Sequence, residues 1–294
     1  MSRATALRAP AVTAVDTYGS VASRSAAVVI GGYSTSFGVA SRLLAEPVRT
    51  HVRNVYALVR IADEIVDDPD SELDPAARMA VLGDLEADTE RAMRHGYSSN
   101  LVVHAFAGTA RRVGIEPALV EAFFASMRTD LVVAEHDAAS VARYVYGSAE
   151  VVGLMCLRAF VSTGEGGRYT DLADGAQRLG AAFQKVNFLR DLAEDVAVRG
   201  RCYLPGVRPG TFTDAQRDAV LDDIEADLAA ALPAIAQLPP GSRRAVLVAH
   251  ALFAELARRL RVTPAEQIIG ARVRVPGPVK ARVVLRALAG GGRS

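Results

Sequence analysis

Residues 55–68 read Val55-Tyr56-Ala57-Leu58-Val59-Arg60-Ile61-Ala62-Asp63-Glu64-Ile65-Val66-Asp67-Asp68. Asp63 and Asp67 stand four positions apart, about one helical turn, so they share a helix face. Followed backwards, that face carries Tyr56, Arg60, Asp63 and Asp67 at i, i+4, i+7 and i+11, while Leu58, Ile61, Ala62 and Ile65 fall on the other side. The periodicity predicts a helix over 48–67, apolar on one side and acidic on the other, closed by Pro69. Like charges one turn apart destabilise an isolated helix by about 0.2–0.5 kcal/mol. Something must compensate, either Arg60 or a bound cation.

The same arrangement returns in Gly180-Ala-Ala-Phe183-Gln184-Lys-Val-Asn187-Phe188-Leu189-Arg190-Asp191-Leu192-Ala-Glu194-Asp195. Here Gln184, Asn187, Asp191 and Asp195 follow i, i+3, i+7 and i+11, and Phe188, Leu189, Leu192 and Val196 face away. Oxygen donors without His or Cys suit a hard cation, Mg²⁺ first and Mn²⁺ as its substitute. Two such stripes facing each other across a helical bundle would hold cations between them. Those cations would screen a diphosphate from the acids and stabilise it as a leaving group. Either stripe alone reads more simply as a solvated polar face. The pair, each set in a strongly apolar helix with amides or an arginine in register, reads better as a site.

Outward from these stretches the chain reads as helices. Residues 1–22 are expected to be a loose leader. A small-residue apolar stretch at 26–44 is broken at Gly31-Gly32, and a helix over 74–95 ends at Gly96. Further helices are expected at 99–113, 117–135, 139–162, 171–198, 213–232, 241–261 and 278–289. Only 272–275 alternates like a strand. Gly164-Glu-Gly-Gly167 follows a helix rather than a strand and reads as a turn, not a nucleotide loop. Connections are short and no composition break marks a linker, so residues 23–294 are expected to form one all-α domain.

Half of the 294 residues are hydrophobic, ample for a core and unlike a disordered chain. The formal net charge of +1 argues against a dedicated nucleic-acid binder. That balance hides an asymmetry. From Arg243 onward there are eleven Lys/Arg and two acids, Glu255 and Glu266, a net of +9; the remainder carries 23 bases and 31 acids, a net of −8. An acidic body with a basic C-terminal run fits a cation site facing an anion site, a face for anionic lipid, or merely uneven surface charge. Two cysteines, Cys156 and Cys202, exclude a disulfide framework and suit a reducing cytoplasm. The N-terminal residues lack the apolar core of a signal peptide, and no stretch approaches about 18 uncharged apolar residues, so no spanning helix is expected. The five histidines, at 51, 95, 104, 136 and 250, show no metal-ligand spacing and read as surface or satisfied core positions.

Asp63-Glu-Ile-Val-Asp67 and Asn187-Phe-Leu-Arg-Asp191-Leu-Ala-Glu-Asp195 resemble the two aspartate-rich motifs of the phytoene synthase/squalene synthase family of head-to-head prenyl-diphosphate synthases. Tyr33-Ser34-Thr-Ser36-Phe37 resembles the family's N-terminal segment, and Tyr144-Val-Tyr146 through Gly153 its central motif. Arg199-Gly-Arg201-Cys-Tyr203-Leu-Pro205 resembles the stretch after the second motif, and Arg272 with Lys280 the basic C-terminal end. The match runs in order over about 33–282. Glu64, Glu150 and Phe253 depart from it; the last two bear on product outcome rather than on metal binding.

The resemblance implies an isoprenoid synthase fold, a helical bundle around a central apolar cavity. It implies Mg²⁺ on Asp63, Asp67, Asn187, Asp191 and Asp195, and diphosphate contacts from Ser34, Arg60, Gln184, Arg190, Arg272 and Lys280. Tyr56 and Tyr144 would line the reacting region, beside the catalytic Asp63, Asp67, Asp191 and Asp195. The implied reaction joins two geranylgeranyl diphosphates through a cyclopropyl diphosphate to phytoene, without a nicotinamide. A squalene-type enzyme on farnesyl diphosphate is the enzyme alternative, and a non-catalytic metal-binding helical assembly factor the alternative of another class. Because substrate and product are lipids, a cytoplasmic protein in loose contact with a membrane is expected; the oligomeric state is left open.

Overall fold

The computed structural model describes residues 16–33, 36–164, 166–207 and 210–290. Among these residues the fold is all-α, with no strand and a single isolated bridge between Glu135 and Cys202. The helices in chain order are α1 (Thr17–Tyr33), α2 (Ser36–Arg42), α3 (Val48–Asp67), α4 (Pro75–His95), α5 (Leu101–Val113), α6 (Pro117–Asp130), α7 (Ala138–Val145), a π-turn (Tyr146–Glu150), α8 (Val151–Val161), α9 (Tyr169–Ala197), α10 (Asp214–Ala236), α11 (Pro240–Val262), α12 (Ala265–Gly270) and α13 (Gly277–Gly290).

Local chemistry sets most boundaries. The Asp74 carboxylate caps α4 by accepting from the Ala77 amide at 2.8 Å, Pro75 takes the first turn, and Gly96 ends the helix with φ +83°. Asn100 caps α5 and Asp137 caps α7 in the same way. Thr213 and Gln216 form a capping box at the start of α10. Gly164 and Gly166, both at positive φ, turn the chain between α8 and α9, as expected of that glycine-rich stretch.

Several expectations need correction. The loose leader expected over 1–22 does not extend that far, for α1 already begins at Thr17, and Ala22, Ala26 and Ile30 bury one face of it at i, i+4 and i+8. Gly31-Gly32 does not break α1, which runs through both. The helix expected to reach residue 135 stops at Asp130, because the chain turns there and the Cys202 amide donates to the Ala134 carbonyl at 2.8 Å. The expected 139–162 helix contains the π-turn. Residues 272–275 form no strand, and α12 is an additional short helix.

Two cores flank the interior. One packs α3 to α6 and α8 around Leu58, Leu82, Phe106, Phe123, Phe124 and Met155. The other packs α9 to α12 around Leu189, Leu221, Ile224, Leu260 and Ile268. Each fully buried Leu or Phe contributes on the order of 1.5–3 kcal/mol. The continuous stretch Ala138–Val161 is long and apolar enough to cross a membrane, with a mean hydropathy of 1.3, but half of it is buried inside the protein. The Tyr144 hydroxyl on it donates to the Asp130 carboxylate at 2.8 Å, so this segment is a core element of the bundle.

Candidate active site

A cavity of about 1010 Å³ lies between α3, the π-turn region, α8, α9 and α11. It is at the upper end of ordinary ligand pockets, which run from about 300 to 1,000 Å³. Much of its wall is apolar, with Phe160, Leu172, Ile235, Leu238, Val246 and Leu256 among the lining residues. Charged side chains line it as well.

That charge comes from the two stripes. The buried face of α3, carried by Val55, Leu58, Ala62 and Val66, turns Tyr56, Arg60, Asp63 and Asp67 toward the cavity. On α9 the burial of Val186, Leu189 and Leu192 turns Gln184, Asn187, Asp191 and Asp195 toward the same space. Arg190, Arg272 and Lys280 also line it. The structure thus brings together every expected site residue except Ser34, which lies outside the described residues.

Guanidinium groups sit among the carboxylates. Arg60 donates to Asp63 at 2.7 Å and also pairs with Glu64. It does not compensate Asp67, as the local spacing allowed. Asp67 instead pairs with Arg201 at 2.5 Å and lies 3.8 Å from Arg199. Arg199 also reaches Asp195 at 3.0 Å, so one guanidinium bridges the ends of both stripes. Arg190 donates through Nε to Asp191 at 2.9 Å, and Arg272 meets the same carboxylate at 2.9 Å. The Tyr33 ring lies 4.4 Å from the Arg60 guanidinium, which brings the N-terminal segment to the first stripe.

Burial, with Asp67 close by, pushes Asp63 up to about 7, against the pull of Arg60. Burial pushes Asp195 up to about 6, against Arg199 and with Asp191 adding repulsion. The Asn187 Oδ1 is buried with no hydrogen-bond partner among the described residues. Among the described residues no three His, Cys, Asp or Glu side chains already form a cation cage. Crowded carboxylates and an orphaned amide oxygen nonetheless form an oxygen-only donor set, the kind that fits a hard divalent cation.

Several residues were not legible beforehand. Asp130, at the end of α6, is 5% exposed and accepts from both the Tyr144 and Tyr203 hydroxyls. Burial raises it to about 7, opposed by Arg201 and by the two hydroxyls. Arg201 and Tyr203 lie in the quoted 199–205 stretch, and their partners were not assigned. His136 corrects another expectation: it is buried, yet neither ring nitrogen has a partner among the described residues, and burial lowers its pKa. Of the departures, Phe253 lines the cavity and stacks on Phe183 at 3.8 Å between ring centroids. Glu150 points elsewhere, accepting from Gln177 at 3.2 Å in a small polar pocket with Lys185 and Asp227.

Comparison with known proteins fits this geometry. A family model described as squalene/phytoene synthase matches residues 30–279. A 15-cis-phytoene synthase from Paracoccus sp. is 29% identical over 249 residues, 78% of each chain. A phytoene synthase from Mycobacterium tuberculosis is 30% identical over 269 residues, 84% of each chain. Among solved structures, a dehydrosqualene synthase superimposes with a TM-score of 0.78 at 20% identity, covering 94% of this chain and 98% of that one. The squalene synthase HpnC from Alicyclobacillus acidocaldarius gives 0.72 at 19% identity, with 84% and 96% covered. These structural likenesses establish the isoprenoid synthase fold.

Proposed function

Because the chain belongs to the squalene/phytoene synthase family, and is therefore a prenyltransferase-type enzyme, we propose that it joins two geranylgeranyl diphosphates head to head to form phytoene. One observation carries the reading. Two acidic stripes, bridged by Arg199, line the same cavity as a large set of apolar side chains.

On this reading Asp63, Asp67, Asn187, Asp191 and Asp195 hold Mg²⁺. The metal, when bound, supplies positive charge on the diphosphate oxygens and so makes diphosphate a better leaving group. Arg60, Arg190, Arg272 and Lys280, with Gln184 beside them, bind and orient the diphosphates in the same cavity. The first ionisation breaks the C1–O bond of one prenyl donor, whose allylic cation is attacked by a double bond of the second. Loss of a proton closes a cyclopropyl ring that keeps the second diphosphate. The second ionisation expels that group, the skeleton rearranges to the joined chain, and loss of another proton gives phytoene. Tyr56 and the aromatic and aliphatic walls exclude water, which would otherwise capture the cations. The Tyr144 hydroxyl is engaged by Asp130, so it is held rather than free to turn. A lipid substrate, together with exposed Leu285 on the arginine-bearing α13, fits loose contact of a cytoplasmic protein with a membrane surface.

The test supplies purified protein with Mg²⁺ and either geranylgeranyl or farnesyl diphosphate, with and without NADPH, and reads products by mass spectrometry. Phytoene from the C20 substrate without NADPH is expected. Dehydrosqualene from the C15 substrate without NADPH, or squalene from it with NADPH, would move the assignment to the C30 enzymes. Release of diphosphate from neither would leave a non-catalytic metal-binding role. Asp191→Ala should lower turnover at least about 100-fold while the helical circular dichroism stays intact.

A further inference from the structure

Asp130 lies on neither stripe, yet it is tied to both the cavity wall and the first stripe. Its Oδ2 accepts from the Tyr144 hydroxyl at 2.8 Å and its Oδ1 from the Tyr203 hydroxyl at 2.6 Å. Arg201 lies 3.7 Å from that Oδ1 and, through the same nitrogen, 2.5 Å from Asp67. The other terminal nitrogen of Arg201 donates to the Val66 carbonyl at 2.9 Å. Tyr203 cannot swing away: its ring is stacked between Phe188, 4.6 Å off at an angle of 8°, and His136, 5.3 Å off at 24°.

We propose that Asp130 is a positioning residue for the active site: a buried carboxylate that fixes the Tyr144 hydroxyl at the cavity wall and, through Arg201, sets where Asp67 presents its oxygens. The argument is one of charge as well as shape. A neutral acceptor would be enough to receive hydroxyl hydrogen bonds from two tyrosines. A negative charge is needed to hold a guanidinium between two acids. Above about pH 7, where Asp130 is ionised, Arg201 lies between two negative groups, Asp130 on one side and Asp67 on the other. With Asp130 neutral, the guanidinium would be drawn wholly to Asp67 and compete there with a cation. What is positioned rests on the proposed function; the contacts do not.

The experiment is Asp130→Asn, which keeps size and an acceptor oxygen but removes the charge. Three quantities are read on the full chain: thermal unfolding, the Mg²⁺ concentration for half-maximal binding of inorganic diphosphate by calorimetry, and kcat against KM for geranylgeranyl diphosphate. A folded variant needing about 10–100-fold more Mg²⁺, the usual effect of removing an outer-shell partner, with a fall in kcat, is the expected result. A folded variant with wild-type Mg²⁺ response and kcat overturns the proposal. If Asp130→Asn does not fold, Tyr203→Phe removes one hydroxyl and keeps the stacked ring. A shift in Mg²⁺ response in the same direction then supports the proposal, and an unchanged response overturns it. Should the wild type bind Mg²⁺ and diphosphate but turn over neither prenyl diphosphate, the proposed reaction fails while the binding readout still decides the role of Asp130.

Discussion

Gly180 offers a stringent test of how the second stripe is placed. It lies one turn before Gln184 on α9, where that helix crosses the π-turn. A Cβ added there would stand 2.6 Å from the Ala149 carbonyl oxygen and 3.0 Å from its carbon, both backbone atoms. Restoring ordinary van der Waals contact requires the two elements to open by about 0.8 Å at that point. Overpacking of this kind costs about 1–3 kcal/mol, which for a chain of this size lowers Tm by roughly 2–4 °C per kcal/mol. The functional cost should be larger, because a displacement of about 1 Å in a reacting geometry can cost on the order of 100-fold in rate. Gly180→Ala is therefore expected to lose a few degrees of Tm but most of its activity. Gly83→Ala is the matched control. Gly83 lies inside α4 with nothing near its would-be Cβ, so the change should stabilise by about 0.4–1 kcal/mol and leave activity unchanged. Differential scanning fluorimetry and a diphosphate-release assay read both variants. Wild-type Tm and turnover in Gly180→Ala would refute the close approach of α9 to the π-turn as the element that sets the stripe.

Two further outcomes follow from the electrostatics. Asp63 and Asp130 are raised to about 7, chiefly by burial, whereas the same carboxyl in the unfolded chain titrates near 4. The folded protein therefore holds protons that the unfolded chain releases, so their contribution is complete below about pH 4 and is lost as pH rises through 7. The buried His51 and His136 and the half-buried His250, lowered by desolvation, act in the opposite sense, but only below about pH 6.5. Ligand-free protein should thus lose Tm between pH 6.5 and 8, and Mg²⁺ with diphosphate should recover it at pH 8; a Tm that rises over that interval contradicts the assignment. Glu150→Gln should leave product and kcat within about twofold, since Glu150 faces Gln177 rather than the cavity. A changed product by mass spectrometry would place Glu150 in the reacting region after all.

What could be read from sequence was whatever repeats locally. The stripes on α3 and α9 were legible because i, i+4 spacing survives any tertiary arrangement, and Asp74-Pro75 with Gly96 marked α4 because capping is a short-range matter. The partner of Asp67 was not legible, for Arg201 is 134 residues away in the chain. Asp130 is one acid among 33, and nothing beside it in the chain foretells two tyrosines. The π-turn was hidden for a related reason. Gly147 is plain in the sequence, but not that a Cβ there would stand 2.1 Å from Ser126 Oγ and 2.3 Å from the Ala122 carbonyl on α6. The α12 helix, at six residues, is too short to show a period. The error at α1 was different in kind: Ala22, Ala26 and Ile30 do repeat, but small residues give a weak apolar signal amid serine and arginine.

The arginines among the stripes bear on the proposed chemistry as well as on the resting fold. Asp63, Asp67, Asp191 and Asp195 are crowded like charges, and in this structure Arg60, Arg199, Arg201, Arg190 and Arg272 pair with them. On the proposed reading Asp63, Asp67, Asp191 and Asp195 would hold a cation in the loaded enzyme, and the guanidinium groups they release would turn to the phosphate oxygens of the substrate. Each charge then keeps a partner in both states, so loading exchanges ion pairs instead of creating bare charges. Arginine suits that exchange better than lysine, because its planar fork fits a carboxylate and a phosphate with the same two donors. Arg201 does not line the cavity and is held on its far side by Asp130. It is the member of the set that cannot follow a phosphate, and this is why its neighbour, rather than the substrate, must decide where Asp67 points.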